Sequence, residues 1–260
     1  VMVIGGGPAG LMAARTAAIK GHQVELFEAK DSLGGQFKSA AYPIGKGELS
    51  TMTSSYRANL EALNVPVHLN TEVTEELIQE VKPDAIIVAT GAKPLTPSIK
   101  GMDLDQVVYA EDILLGHVDI ANGPVVVCGG GEVGGETAHY IQEKNHQVTI
   151  VEMQQDILND MMPMTRECLM NMLHESGVQV HTNFKVKEIT SDGVVGEDAN
   201  GHTATLPAVQ VVSAFGYKAY NPLEDIAKAN CKEVYVVGGA IKAGNAITAT
   251  REGMEAALKL

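Results

Sequence analysis

The chain opens on an uninterrupted apolar run, VMVIG, and the same pattern returns at Val125 as VVVCG. Consecutive apolar residues closed by glycine describe a strand buried on both faces, since a strand with one wet face would alternate. Each run leads through a glycine turn into helical spacing and then into a second apolar run, VELFE or VTIVE, that ends on an acid. Laying Val125–Glu152 over Val1–Glu28, an offset of 124 residues, gives 12 identical positions in 28. The matches include Gly5, Gly6, Gly7, Gly10, Ala14 and Glu28 against Gly129, Gly130, Gly131, Gly134, Ala138 and Glu152. A strand, glycine turn, helix and second strand form half of a doubly wound sheet, so the pattern predicts an α/β fold with two Rossmann-like dinucleotide-binding domains.

Further strands are predicted at DAIIVATG (84–91), VQVVSAFG (209–216) and EVYVVGG (233–239). Helices are predicted at 47–64, at 163–176 and at 246–258, the last with Asn245 as its cap. The Pro- and Gly-bearing segment AKPLTPSIKG and the segment YKAYNP are the expected crossings between domains.

Composition narrows the class. A length of 260 residues suffices for a large core without disulfides or metals. A net charge of −13 speaks against nucleic acid and anionic membrane surfaces. Cys128, Cys168 and Cys231 are odd in number and far apart, which excludes a disulfide framework, a CxxC pair and a zinc pattern, and points to a reducing, cytoplasmic setting. The histidines show no ligand spacing, so no metal is expected. Met161, Met162 and Met164 read as packing residues around a core helix, and Cys128 as a small buried strand residue. Val1 opens directly inside an apolar strand, which gives the chain the look of a piece of a longer polypeptide whose other part holds the active site.

Chemistry enters with the glycines. Gly5 permits the sharp turn, Gly7 lets a pyrophosphate approach the backbone, and Gly10 lets the helix pack on the sheet, while the helix N-terminus offers free N–H groups to phosphate. A glycine turn alone would fit any βα unit. Glu28, at the end of the next strand, adds a carboxylate able to accept from both ribose hydroxyls. Gly129, Gly131, Gly134 and Glu152 repeat both spacings, so two dinucleotides are implied. An acid at 152 repels a 2′-phosphate, and Met153–Thr165 holds no Lys or Arg to receive one, which favours NAD(H) over NADP(H).

GGGPAG, LFEAKDSLGGQ, VATGAKP, CGGGEVGGETA and a late VYVVGG together resemble the FAD/NAD(P) pyridine nucleotide oxidoreductase module. GGQFKSAAYP and the missing redox cysteine pair are most similar to the C-terminal half of old yellow enzyme-type reductases such as 2,4-dienoyl-CoA reductase and 2-enoate reductase. The resemblance implies an FAD domain made of 1–97 and 214–260, with an NAD(H) domain of 98–213 inserted. It places Gly5, Gly7, Gly10, Glu28, Gly34, Gly35, Gln36 and the Gly91 of VATG along FAD, and Gly129, Gly131, Gly134 and Glu152 along NADH. Glu136 matches an acid near the nicotinamide, although a helix-surface glutamate fits the spacing equally well. The family's late Gly-Asp is Gly238-Gly239 here, so a ribityl-binding carboxylate is missing, and backbone N–H groups at Gly239 and Ala240 remain as flavin contacts.

The expected function is hydride transfer from NADH to FAD, with no side-chain acid or base required. The resemblance also implies a partner domain outside this chain, an N-terminal barrel with FMN and an iron–sulfur cluster that reduces an activated C=C bond of a small-molecule substrate. A disulfide reductase fails for want of a cysteine pair. A nucleotide-holding structural domain without turnover stays open as the alternative.

Overall fold

Met2 and Ile4 face one side of their strand and Val3 the other, and all three are buried. The structure, a computed structural model, describes residues 1–43 and 45–260. The chain runs through β1 (Met2–Ile4), α1 (Pro8–Ile19), β2 (Glu25–Phe27), α2 (Phe37–Ala40), α3 (Leu49–Ala62), β3 (Val67–His68), α4 (Glu75–Val81) and β4 (Ala85–Val88). It continues with β5 (Ala92–Pro94), β6 (Val107–Tyr109), α5 (Ala110–Leu114), β7 (Val125–Cys128), α6 (Glu132–Gln142), β8 (Val148–Val151), α7 (Pro163–Glu175) and β9 (Gln179–His181). The last part holds β10 (Lys185–Thr190), β11 (Gly193–Glu197), β12 (Thr203–Pro207), β13 (Gln210–Ser213), β14 (Tyr217–Ala219), α8 (Glu224–Asn230), β15 (Glu233–Val236), a 3-10 turn at Gly238–Ala240 and α9 (Ala246–Lys259).

Two compact units result. The first comprises Val1–Ala41, Gly47–Lys93 and Tyr217–Leu260, and the second Tyr42–Lys46 and Pro94–Gly216. The first unit's sheet has the order β15-β4-β1-β2-β3, and its pairs are all parallel. The second unit's sheet, β6-β13-β7-β8-β9, has the same layout and is likewise parallel. In both, the strand order reverses beside the glycine-closed strand, which is where parallel sheets open a ligand crevice at their carboxyl ends.

In the first unit Val3, Leu26 and Ile87 pack with residues of α1, α3 and α9, while Met2, Ile4 and Ile86 pack with residues of α4 and α8. In the second, Val125 and Val127 meet α5, α6 and α7. The opposite face, with Val126 and Cys128, is covered by the antiparallel meander β10-β11-β12 through Ile189 and Val194 rather than by helices. The sequence reading did not anticipate that meander. β10 is mostly polar in sequence, with Val186 and Ile189 as its apolar residues, and β12 is exposed at four of its five positions, so neither an apolar run nor clean alternation marks them.

The predicted strands form at 85–88, 210–213 and 233–236, and the predicted helices at 49–62, 163–175 and 246–259. Asn245 caps α9, its Oδ1 accepting from Thr248 N–H at 2.9 Å. The methionines correct the packing expectation. Met161 does pack against the core, but Met162 and Met164 are 76% and 79% exposed. Pro163 starts α7 beside them, and that helix reaches the core only further along, through Leu169 and Leu173. Among the described residues no helix is long and apolar enough to cross a membrane.

Two outcomes test this packing. Gly10→Ala would put a Cβ 1.9 Å from the Gly5 carbonyl oxygen, so it should cost about 3 kcal/mol, the upper end of overpacking effects, in denaturant unfolding. Gly7→Ala meets nothing within 4 Å and should unfold within about 1 kcal/mol of the wild type, the ordinary range for a non-clashing change. Equal losses in the two variants would contradict the packing described here. The second outcome concerns thiols. Cys168 is exposed while Cys128 and Cys231 are buried, and burial pushes the Cys128 thiol up to about 12. Thiol modification at pH 8 read residue by residue should therefore find Cys168 reacting fast in the native protein and Cys128 only after unfolding.

Candidate functional site

Both glycine turns are built by the same backbone contacts. Gly5 and Gly129 take positive φ values of 106° and 112°, and a Cβ on either would lie 2.3 Å from the carbonyl oxygen of Ala89 or Ala214. Gly10 and Gly134 press the helix onto the turn, each leaving only 1.9 Å between an added Cβ and the carbonyl oxygen of Gly5 or Gly129. These glycines are steric requirements of the turn. Gly7 is different, because the space beside it is open, as a backbone approached by a ligand needs.

The two acids are fixed alike. Glu28 Oε2 accepts from Gly6 N–H at 2.7 Å, and its Oε1 accepts from Lys30 N–H at 2.8 Å. Glu152 repeats the arrangement with Gly130 N–H and Gln154 N–H, both at 2.8 Å. Charge-assisted bonds of this kind contribute about 1.5–3 kcal/mol each, and here they set where the carboxylate stands. Each oxygen retains a second acceptor direction, so either carboxylate can still take ribose hydroxyls. The match continues past the acids. Gly34 N–H donates to Gly6 O at 2.8 Å and Leu158 N–H to Gly130 O at 2.7 Å, which makes Gln36 and Asp160 counterparts.

The helix starts differ in charge. α1 begins with Pro8 and has no acid in its first turn. α6 begins with Glu132, whose N–H donates to both Asp160 oxygens at 2.9 and 3.2 Å. Lys46 Nζ bonds Glu132 Oε1 at 3.1 Å and also pairs with Glu136. Glu136 is no surface glutamate, since its side chain is 11% exposed. Burial raises its pKa, Lys46 lowers it, and the Glu132 and Asp160 charges raise it, leaving it above the ordinary glutamate value. Burial opposes the Lys46 ammonium, but Glu136 and Glu132 outweigh burial and hold its pKa above the usual lysine value.

At the end of the first unit's sheet, Gly238 N–H is committed to Glu252 Oε2 at 2.7 Å. Gly239, Ala240 and Gly91 lie close by, and a Cβ on Gly239 would come within 3.0–3.1 Å of the Gly91 and Ala92 backbone. An aspartate there would have to push that backbone back. Gln36 Nε2 reaches Ala92 O at 3.5 Å, and Gly35 lies beside Gly7, a Cβ on it falling 3.1 Å from Gly7 Cα. Thus Gly5, Gly7, Gly10, Glu28, Gly35, Gln36, Gly91, Gly238, Gly239 and Ala240 belong to the first unit, and Gly129, Gly131, Gly134, Glu136 and Glu152 to the second.

Both cradles fit a dinucleotide. Each has bare glycines, a helix start and an oriented carboxylate, and the first lacks only a side-chain acid at 239. Sequence reasoning missed Lys46 and Asp160. Lys46 is the sole cation between Lys38 and Arg57, and carrying the repeat eight residues past Glu152 would have paired Asp160 with Gln36. Among the described residues no group of three or more His, Cys, Asp and Glu side chains could hold a metal.

Comparison with known proteins agrees with this geometry. The family profile described as pyridine nucleotide-disulphide oxidoreductase matches residues 1–253. The chain is 39% identical over 264 residues to an NADH oxidase of Thermoanaerobacter brockii, covering 100% of this chain and 41% of that protein. It is 33% identical over 260 residues to a cinnamate reductase of Clostridium sporogenes, covering 99% and 38%. A solved 2-naphthoyl-CoA reductase complex superposes with a TM-score of 0.95 at 31% identity, over 100% of this chain and 39% of that one. The chain thus spans about two fifths of the length of these relatives. The family match covers the chain almost end to end, both parallel sheets included, and the chain belongs to the pyridine nucleotide-disulphide oxidoreductase family, a Rossmann-like family of FAD- and NAD(H)-binding oxidoreductases.

Proposed function

We propose that this chain is the NADH:flavin module of a larger reductase acting on activated C=C bonds, with the first unit holding FAD and the second NADH. The observation that carries this reading is the pair Glu28 and Glu152, each clamped by the second glycine of its own turn at 2.7 or 2.8 Å. Carboxylates so placed recognise ribose hydroxyls, and Glu152 opposes a 2′-phosphate. When bound, the two cofactors supply the redox chemistry, a hydride donor and its acceptor.

The chain's own residues bind and orient. The starts of α1 and α6 face phosphate, Gly35, Gln36 and Gly91 line the first cradle, and Glu136 with Lys46 forms a largely buried ion pair one turn into α6. In this reading the rest of the protein is a barrel with FMN and an iron–sulfur cluster, working in the cytoplasm on a small enoate or enoyl-CoA-like molecule. The name cinnamate reductase on one relative and 2-naphthoyl-CoA reductase on another support that substrate class. A second reading, a nucleotide-holding domain without turnover, draws on the missing carboxylate at Gly239.

The deciding experiment is the visible spectrum of the full-length protein under anaerobic conditions. NADH should bleach the flavin band in the electron-transfer reading, and a band left unchanged by NADH would leave the scaffold reading standing. Glu28→Ala should lower FAD occupancy of the purified protein. Cofactor choice gives an independent check, because Glu152→Ala should narrow the NADH/NADPH ratio of kcat/KM and Glu152→Arg should reverse it. Equal use of both cofactors by the wild type would overturn the role given to Glu152.

A further inference from the structure

We propose that Asp160 makes dinucleotide binding at the second site readily reversible: its carboxylate holds the α6 amide that an incoming pyrophosphate would take, and the two anions exchange. The inference rests on the reading of the second unit as the NAD(H) site. Both Asp160 oxygens accept from Glu132 N–H, the first amide of α6, at 2.9 and 3.2 Å. Its Oδ2 also stands 3.1 Å from where a Cβ on Gly131 would be, over the glycine left bare for phosphate approach. A dianionic pyrophosphate arriving there meets a like charge and a spent donor.

The first copy is the internal control. The counterpart of Asp160 is Gln36, a neutral amide that reaches toward Ala92 O, and the space beside Gly7 is open within 4 Å. α1 starts with Pro8, so it has no amide at that position to be taken. One repeat thus carries a helix start free of acids, suited to a cofactor that stays. The other carries an internal anion, suited to a cofactor that must leave after each turnover.

The surroundings reinforce the difference. Glu132 and Glu136 also stand at the start of α6, and Lys46, the cation beside them, is bonded to both. Among the described residues Asp160 has its hydrogen bonds from Glu132 alone, and it sits exposed in the turn before α7. The turn itself is held by Leu158, whose N–H donates to Gly130 O at 2.7 Å. A side-chain rotation therefore releases the amide without moving the backbone.

The test uses the full-length protein with its cofactors bound, and titrates NADH and ADP-ribose into the wild type, Asp160→Asn and Asp160→Ala. Asparagine keeps an oxygen for the Glu132 amide and so protects folding, while alanine removes the competitor. Both variants should bind NADH and ADP-ribose about tenfold more tightly, the scale of one like-charge contact at a solvent-exposed side chain such as Asp160, mainly through slower dissociation in stopped-flow traces. The gain should shrink at high salt. A purely structural cap would instead lower thermal stability and leave affinity unchanged or weaker. Wild type that binds and variants that bind no tighter would overturn the role of Asp160 alone. No saturable binding of either ligand to any form would overturn the dinucleotide reading and this inference with it.

Discussion

Everything at the two cradles depends on how closely a helix can approach the end of a strand. Gly10 lies so near the Gly5 carbonyl, and Gly134 so near the Gly129 carbonyl, that a single added carbon would stand 1.9 Å from oxygen. That contact aims the first turn of each helix at the crevice where strand order reverses. It also brings the second glycine of each turn within reach of the acid at the end of the next strand. The turn, the helix start and the carboxylate are thereby one piece, with the amides of the helix start and the acid spaced by the backbone itself.

Given two such pieces with the same skeleton, functional difference has to come from side chains added to it. The first has Pro8 and Gln36 where the second has Glu132 and Asp160. Lys46 ties Glu132 to the largely buried Glu136, so the negative charge of the second cradle is held in place rather than spread into solvent. Such an electrostatic contrast arises with neither the sheet nor the helix packing changed.

The elements most legible in the sequence were those whose burial is complete. VVVC and AIIV are buried at every position in parallel sheets, so they stand out as apolar runs. The meander β10-β11-β12 covers only one face of a sheet, and its outer residues are polar and exposed, so no run announces it. Met162 and Met164 misled in the opposite direction: they are apolar in type yet lie at a helix start that extends beyond the core. Hydrophobicity reports what a residue prefers, whereas burial depends on what packs above it.

The sequence by itself determined the repeated strand, glycine turn, helix and acid, because each of those steps is local: φ above zero, close helix approach and strand-end chemistry are decided within about thirty residues. It also marked Glu28 and Glu152 as matched acids at one spacing. Only the tertiary structure decided which groups those cradles would share space with. Lys46 is 86 and 90 residues from the carboxylates it pairs with, and Asp160 is 28 residues from the amide it caps. No periodicity links such positions. They meet because the chain's three-dimensional course, here the segment Tyr42–Lys46 and the turn before α7, brings distant positions to the start of α6, which no local pattern encodes.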